Sequence, residues 1–227
     1  LGICWDKKDK FTKAYDCYQK AVIYDPLCAA AYNNMGTYFE KKGDSDLAIL
    51  NYKEAIRSNP DYAEAYNNMG LSFQKKNNLI EAIKCYEKAI EINSSYSDAY
   101  LNLGLYWTER EEFNSAEKNF KEALRLDPNN YKVYDAIGSF HIRQKNQKLA
   151  MESYEKALSI EPNDPNTHFN IGNVQNFNGE KLAAINSFKH AIKLKPDFID
   201  AYHTLGVVFQ GQGETDKALE SYKSAVS

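Results

Sequence analysis

The chain has 227 residues, of which 43% are apolar, and this is enough to build a substantial buried core. Its 28 basic and 31 acidic residues leave a net charge of -3, so the composition lacks the excess of positive charge that nucleic acids and membrane surfaces attract. No apolar run approaches the roughly 20 residues that cross a bilayer, and no N-terminal apolar stretch indicates a signal peptide. We therefore expect no nucleic-acid partner and no membrane insertion.

The cysteine pattern favours a reducing compartment. The cysteines are Cys4, Cys17, Cys28 and Cys85. They match neither a CxxC metal pattern nor a dense disulfide framework, and none has a histidine at metal-ligand spacing. We expect reduced, partly buried thiols and an intracellular, cytoplasmic location.

Four residue columns recur every 34 positions along the whole chain. The glycine column contains Gly2, Gly36, Gly70, Gly104, Gly138, Gly172 and Gly206. The first alanine column contains Ala14, Ala48, Ala82, Ala116, Ala150, Ala184 and Ala218. The aromatic column contains Tyr18, Tyr52, Tyr86, Phe120, Tyr154, Phe188 and Tyr222. The second alanine column contains Ala21, Ala55, Ala89, Ala123, Ala157, Ala191 and Ala225. The chain is therefore a tandem repeat without insertions.

Each unit reads as two helices, as residues 29–62 illustrate. The first predicted helix has one apolar face, formed by Tyr32, Met35, Gly36 and Phe39. Gly43 is placed to end this helix with a left-handed cap, and Asp44 or Ser45 can begin the next one. The second predicted helix carries Ala48, Tyr52, Ala55 and Ile56 on its inner face. Pro60 ends the unit, since it lacks an amide donor.

The glycine column is unexpected inside a helix, where glycine costs about 0.5–1 kcal/mol relative to alanine. Its recurrence predicts a packing role. A bare Cα lets the first helix of each unit approach the aromatic column of the second helix, and a larger side chain there would overpack the contact.

These columns resemble the tetratricopeptide repeat family over essentially the whole chain. We expect one array over residues 1–227 with units 1–28 (partial), 29–62, 63–96, 97–130, 131–164, 165–198 and 199–227 (partial). The resemblance implies an all-α fold, an α-solenoid in which antiparallel helix pairs form a right-handed superhelix. In the family, the first helices line a concave groove that binds extended peptides or partner helices. Because no polar capping helix closes either end, we expect the chain to be part of a longer protein.

The sequence contains no catalytic constellation that matches a known motif. Gly206, Gly211 and Gly213 lack the Lys and Ser/Thr of a phosphate loop, and the histidines lack HExxH spacing. We interpret His141 and His168 as core residues, since both stand at aromatic positions. We expect no enzyme activity in this chain, no catalytic residues, no cofactor and no metal.

An asparagine column precedes the hydrophobic residue and glycine of the first helices, at Asn34, Asn68, Asn102 and Asn170. The column is interrupted by Ala136 and ends at Thr204. The resemblance places it on the concave face, where side-chain amides could bind the main chain of an extended peptide. The alternative is that asparagine is simply common in this column of the family, including in units that bind nothing there.

Residues that depart from the repeat are candidates for selectivity. Phe169, Asn173 and Phe177 lie at i, i+4 and i+8 on one predicted helix, and Ile142 and Arg143 occupy corresponding places one unit earlier. Exposed aromatic residues beside arginine are typical binding anchors. The alternative is that Gln175, at a position where an aromatic normally packs, indicates a rotated helix that buries Phe177.

Co-chaperone members of the family clamp the terminal carboxylate of heat-shock chaperones with lysine, asparagine and arginine on three first helices. The corresponding positions here hold Asn33, Asn34, Thr37, Asn67, Leu71, Asp98 and Asn102. The basic residues of the clamp are missing, so we expect no chaperone-tail ligand.

The sequence favours an interaction scaffold or adaptor that binds a protein or peptide in the groove, within a larger complex. The alternative is the substrate-recruiting region of a larger enzyme, such as an O-linked sugar transferase acting with GlcNAc or fucose. Those enzymes resemble this chain in having uninterrupted arrays with an asparagine ladder.

Overall fold

A computed structural model describes residues 11–226 of the chain. Gly2, Cys4 and the part-helix expected at the start of unit 1–28 lie outside the described residues. The described residues form thirteen helices and no strand, and the all-α prediction is confirmed. The helices are α1 (Phe11–Tyr24), α2 (Ala29–Lys41), α3 (Ser45–Ser58), α4 (Ala63–Lys75), α5 (Leu79–Ile92), α6 (Ser97–Glu109), α7 (Phe113–Leu126), α8 (Tyr131–Arg143), α9 (Gln147–Ile160), α10 (Pro165–Phe177), α11 (Lys181–Leu194), α12 (Ile199–Gly211) and α13 (Thr215–Ala225).

The described residues divide into two compact units. The N-terminal unit contains residues 11–106 and 121–126, and the C-terminal unit contains residues 107–120 and 127–226. In both units a three-residue turn joins the two helices of a pair, as between α2 and α3 and between α10 and α11. So short a turn reverses the chain, and the paired helices are therefore antiparallel.

Turn chemistry explains where the helices begin and end. Asp44 caps α3 by accepting a hydrogen bond from the Leu47 amide at 2.9 Å. Gly43 ends the preceding helix at φ +80°, as expected from the sequence. Lys145 adopts the same left-handed conformation between α8 and α9, at φ 59°.

The glycine column packs directly against the aromatic column within a helix pair, as predicted. A Cβ built on Gly70 would lie 2.6 Å from Cε1 of Tyr86 in the N-terminal unit. A Cβ on Gly172 would lie 2.6 Å from Cε1 of Phe188 in the C-terminal unit. No real carbon atoms pack so closely, so these positions require glycine for the observed helix spacing.

Each unit has its own apolar core. In the N-terminal unit, Tyr52, Met69 and Cys85 belong to one buried cluster, and burial raises the pKa of the Cys85 thiol to about 12. In the C-terminal unit, Phe188 and Leu205 belong to another. Among residues 11–226, no helix is both long enough and apolar enough to span a bilayer.

The interpretation of His141 and His168 as core residues is wrong, because both side chains are only half-buried. A ring nitrogen of His168, Nε2, lies 2.9 Å from the carbonyl oxygen of Pro162. This contact gives one ring nitrogen of the half-buried imidazole a hydrogen-bond partner in the turn before α10.

Candidate functional site

In the N-terminal unit, the asparagine column binds the preceding repeat. The Asn68 side chain donates from Nδ2 to Oδ1 of Asn33 at 3.1 Å. Asn102 donates in the same way to Asn67 at 2.8 Å. Asn33 and Asn67 are buried, so these hydrogen bonds satisfy polar groups that have left water. Asn34 is half-buried on α2.

The C-terminal unit repeats this contact with an acid in place of the buried asparagine. Asn170 donates from Nδ2 to both carboxylate oxygens of Asp135, at 3.1 and 3.3 Å. The Thr167 hydroxyl lies 2.9 Å from Oδ1 of Asp135. Burial raises the pKa of Asp135, and the hydrogen bonds from Asn170 and Thr167 oppose that rise without cancelling it. Three residues of the predicted ladder therefore connect neighbouring repeats.

A second polar contact joins α2 and α4 near the C-terminal ends of these helices. Glu40 accepts hydrogen bonds from the Ser72 hydroxyl and from the Lys75 ammonium group. Burial alone raises the pKa of Glu40, but the hydrogen bonds from Lys75, Ser72 and Ser45 bring it below its ordinary value. We name Glu40, Ser72 and Lys75 the polar seam.

Three repeats later, the same positions hold apolar residues. Ile142, Val174 and Phe177 lie 102 positions after Glu40, Ser72 and Lys75 respectively. The Phe177 side chain is 75% exposed, and Ile142 is 38% exposed. The alternative in which α10 rotates to bury Phe177 is therefore wrong. We name Ile142, Val174 and Phe177 the apolar seam.

The apolar seam opens onto a pocket of about 600 Å³ between α8 and α10, within the C-terminal unit. Five of the predicted site residues line it: Ile142, Arg143, Asn170, Asn173 and Phe177. Five further residues also line it: Ser139, Lys145, Gln147, Tyr154 and Val174. At its base the Tyr154 and Ser139 hydroxyls are 3.2 Å apart. Burial raises the pKa of Tyr154 to about 12, so this hydroxyl stays protonated at neutral pH.

The remaining predicted site residues lie elsewhere. Phe169 packs with its ring centroid 5.1 Å from that of Phe198 and 5.7 Å from that of Phe188. It does not line the pocket, and these contacts place it with the core. Asn34, Asn68 and Asn102 lie in the N-terminal unit.

The pocket lining combines apolar and amide side chains. Ile142, Val174 and Phe177 contribute apolar surface to it, and the Asn170 and Asn173 side-chain amides carry hydrogen-bond donors and acceptors. Within residues 11–226, no three His, Cys, Asp or Glu side chains are grouped closely enough to hold a metal ion.

Comparison with known proteins identifies the repeats. Models described as "Tetratricopeptide repeat" match residues 63–96 and 97–130. A model described as "TPR repeat" matches residues 38–77, 138–179 and 178–213. Together these matches include most of the chain. No curated protein matches it in sequence.

Solved structures share the fold at low sequence identity. The APC/C hetero-tetramer Cut9-Hcn1 contains a chain with a TM-score of 0.87 and 15% identity, covering 99% of this chain and 45% of that one. A tetratricopeptide repeat protein from Parabacteroides merdae has a TM-score of 0.76 and 16% identity, covering 99% of this chain and 89% of that one. YrrB, described as a TPR protein with an unusual peptide-binding site, has a TM-score of 0.52 and 20% identity, covering 82% of this chain and 96% of that one.

This chain thus spans less than half the length of the similar chain in the Cut9-Hcn1 assembly. The repeat columns, the helix pairs and the matching family models agree in position along the sequence. The chain therefore belongs to the tetratricopeptide repeat family.

Proposed function

We propose that this chain is a protein-interaction scaffold without catalytic activity of its own. It binds an extended peptide or a partner helix in the pocket between α8 and α10, as part of a larger assembly. The observation that carries the proposal is the apolar seam, because it exposes Phe177 and Ile142 where the corresponding polar seam is closed by charged and hydroxyl groups.

An exposed aromatic beside a pocket is costly to leave in water and is a frequent anchor for a protein partner. Arg143 stands next to it on the pocket lining, and arginine is also enriched among binding anchors. Proteins of the same fold include one solved within a hetero-tetramer and one described with a peptide-binding site. Those descriptions support a binding role for this chain.

We also propose that no heat-shock chaperone tail binds the N-terminal unit. Asn33 and Asn67 stand at clamp positions, but both are buried and hydrogen-bonded to neighbouring repeats. The Asn33 amide in addition donates to Glu64 at 3.0 Å. Side chains committed in this way are poorly placed to receive a ligand carboxylate.

Quantitative capture of partners from a lysate tests the proposal, with the Phe177→Ala variant compared with the unmodified chain. We expect partner affinity to fall by at least about tenfold, the loss typical of an aromatic anchor. Helical content and Tm should stay unchanged, because the removed ring is 75% exposed.

Leu182→Ala is the matched control. Leu182 is 77% exposed, lies five residues from Phe177 in the sequence, and does not line the pocket. This variant should retain every partner. Equal capture by both variants, or loss of the same partners from both, contradicts the assignment of the site.

A further inference from the structure

We infer that the pocket between α8 and α10 takes an acidic peptide segment, in which a large apolar side chain stands next to an Asp or Glu carboxylate. This inference rests on the proposed function and adds the chemistry of the ligand. It has two parts, an apolar contact made by the apolar seam and a charge contact made by Arg143 and Lys145.

The two cations of the pocket have no acidic partner among residues 11–226. Arg143 and Lys145 are exposed and line the pocket, and within the described part of the chain neither side chain forms an ion pair or a side-chain hydrogen bond. Elsewhere in the C-terminal unit, Lys217 does form an ion pair, with Glu214. Although the net charge of the chain is -3, two positive charges at this apolar pocket thus lack an ion pair with any described residue.

Comparison with the corresponding positions of earlier repeats shows which ion pair Arg143 lacks. The residues that correspond to Arg143 in the three preceding repeats are Lys41, Lys75 and Glu109. Lys75 pairs with Glu40, and the Lys41 ammonium lies 4.1 Å from the ring centroid of Phe11. The residue 35 positions before Arg143, which corresponds to Glu40, is Thr108. Without an acid at that position, the guanidinium is available to a carboxylate supplied by a ligand.

The one acidic residue of α8, Asp135, gives the ligand a direction. Asp135 precedes Arg143 by eight residues, which is about 12 Å along a helix. Because Asp135 repels a carboxylate and Arg143 attracts one, the acidic group of the ligand belongs at the C-terminal end of α8. Its apolar neighbour then meets Ile142 and Phe177, and its main chain lies near the Asn170 and Asn173 amides.

The volume of the pocket is compatible with a peptide ligand of this kind. At about 600 Å³, the pocket lies within the range of about 300–1,000 Å³ that is common for binding sites. An apolar side chain removes the exposed surface of Phe177 from water, whereas the charge contact at the rim contributes selectivity and association rate more than affinity.

Selection from a random peptide library displayed on phage tests this inference on the whole chain. We expect the selected peptides to contain Phe, Leu, Met or Trp within two residues of Asp or Glu. For a synthetic peptide of the selected sequence, the double variant Arg143→Gln, Lys145→Gln should weaken binding by about three- to tenfold, mainly through slower association. When the library selection is repeated on this double variant, the selected peptides should no longer be enriched in Asp or Glu.

The double variant Lys156→Gln, Lys193→Gln is the charge-matched control. Both lysines are exposed in the C-terminal unit outside the pocket, so this variant should bind the same peptide with unchanged affinity. An equal loss of binding in both double variants would show a general charge effect and overturn the inference.

The outcomes also separate this inference from the proposed function. If the selected peptides lack acidic residues but bind Phe177→Ala less tightly than the unmodified chain, the pocket stays a binding site. The inference that its ligand is acidic is then overturned. Selected peptides that bind Phe177→Ala as well as the unmodified chain would overturn both, and so would a failure to select any peptide.

Discussion

Asp135 is a residue whose charge opposes the stability of its own unit. Its carboxylate occupies the position held by Asn33 and Asn67 in earlier repeats and accepts the same bond from the following asparagine. The raised pKa of Asp135 means that the folded state holds its proton more tightly than the unfolded state. Stability is therefore lost as the pH rises through this pKa, because ionisation of a buried group is unfavourable.

We predict that Asp135→Asn raises the Tm by about 1–3 °C at pH 7. The amide keeps an oxygen acceptor for Asn170 and removes the buried charge. The difference from the unmodified chain should shrink as the pH falls toward 3.8, the ordinary value for aspartate, since Asp135 is then protonated. Thermal melts at several pH values measure this, and a lower Tm for the variant at pH 7 would contradict it.

At the scale of single residues, the sequence identified five of the ten residues that line the pocket. Ile142, Arg143, Asn173 and Phe177 were identified because they depart from the repeat, and all four line it. Phe169 also departs from the repeat but packs against Phe188 and Phe198. The one-dimensional pattern could not separate the two phenylalanines, because they lie on the same helical stripe and differ in what packs beside them.

At the scale of helices, neighbouring first helices meet with an offset of 35 residues. Asn33 binds Asn68, Asn67 binds Asn102, Asp135 binds Asn170, and Glu40 binds Lys75. Single columns with a 34-residue period do not reveal these pairs. Comparing each column with its neighbour one repeat and one residue later would have revealed the polar seam and its apolar counterpart from the sequence alone.

The glycine column provides a direct test of helix packing. We predict that Gly70→Ala lowers the free energy of unfolding by about 1–2 kcal/mol, although alanine is the better helix former by about 1 kcal/mol. The new Cβ would lie 2.6 Å from the Tyr86 ring, which is fully buried and cannot move aside. Urea unfolding followed by circular dichroism measures the change.

Gly211→Ala is the matched control, because a Cβ on Gly211 meets nothing within 4 Å. This variant should be between neutral and about 1 kcal/mol more stable. If Gly70→Ala and Gly211→Ala changed stability by the same amount, close packing would not be the reason for the glycine column.

At the scale of the whole chain, the two units share the same repeat but differ in the side chains that lie between their first helices. The regular repeats of the N-terminal unit close their first-helix contacts with hydrogen bonds and an ion pair. In the C-terminal unit the Asn170–Asp135 contact keeps its hydrogen bonds, but the positions of the polar seam are apolar, and of these Ile142 and Phe177 are exposed. The four repeating columns were sufficient to predict the fold, because they specify helix packing. The proposed binding chemistry lies in positions outside these columns, and the columns by themselves do not show which of those positions meet.

Photo-crosslinking from inside the pocket is the decisive test of the proposed binding site. Ile142 would be replaced by the photoreactive residue benzoylphenylalanine, and Leu149 would be replaced in the same way as the control. The two side chains are 38% and 39% exposed, and only Ile142 lines the pocket. We expect irradiation in a lysate to join the Ile142 variant to a discrete partner, and Phe177→Ala in the same chain to abolish that product. The absence of a product from position 142, or the same product from position 149, would contradict the pocket as the binding site.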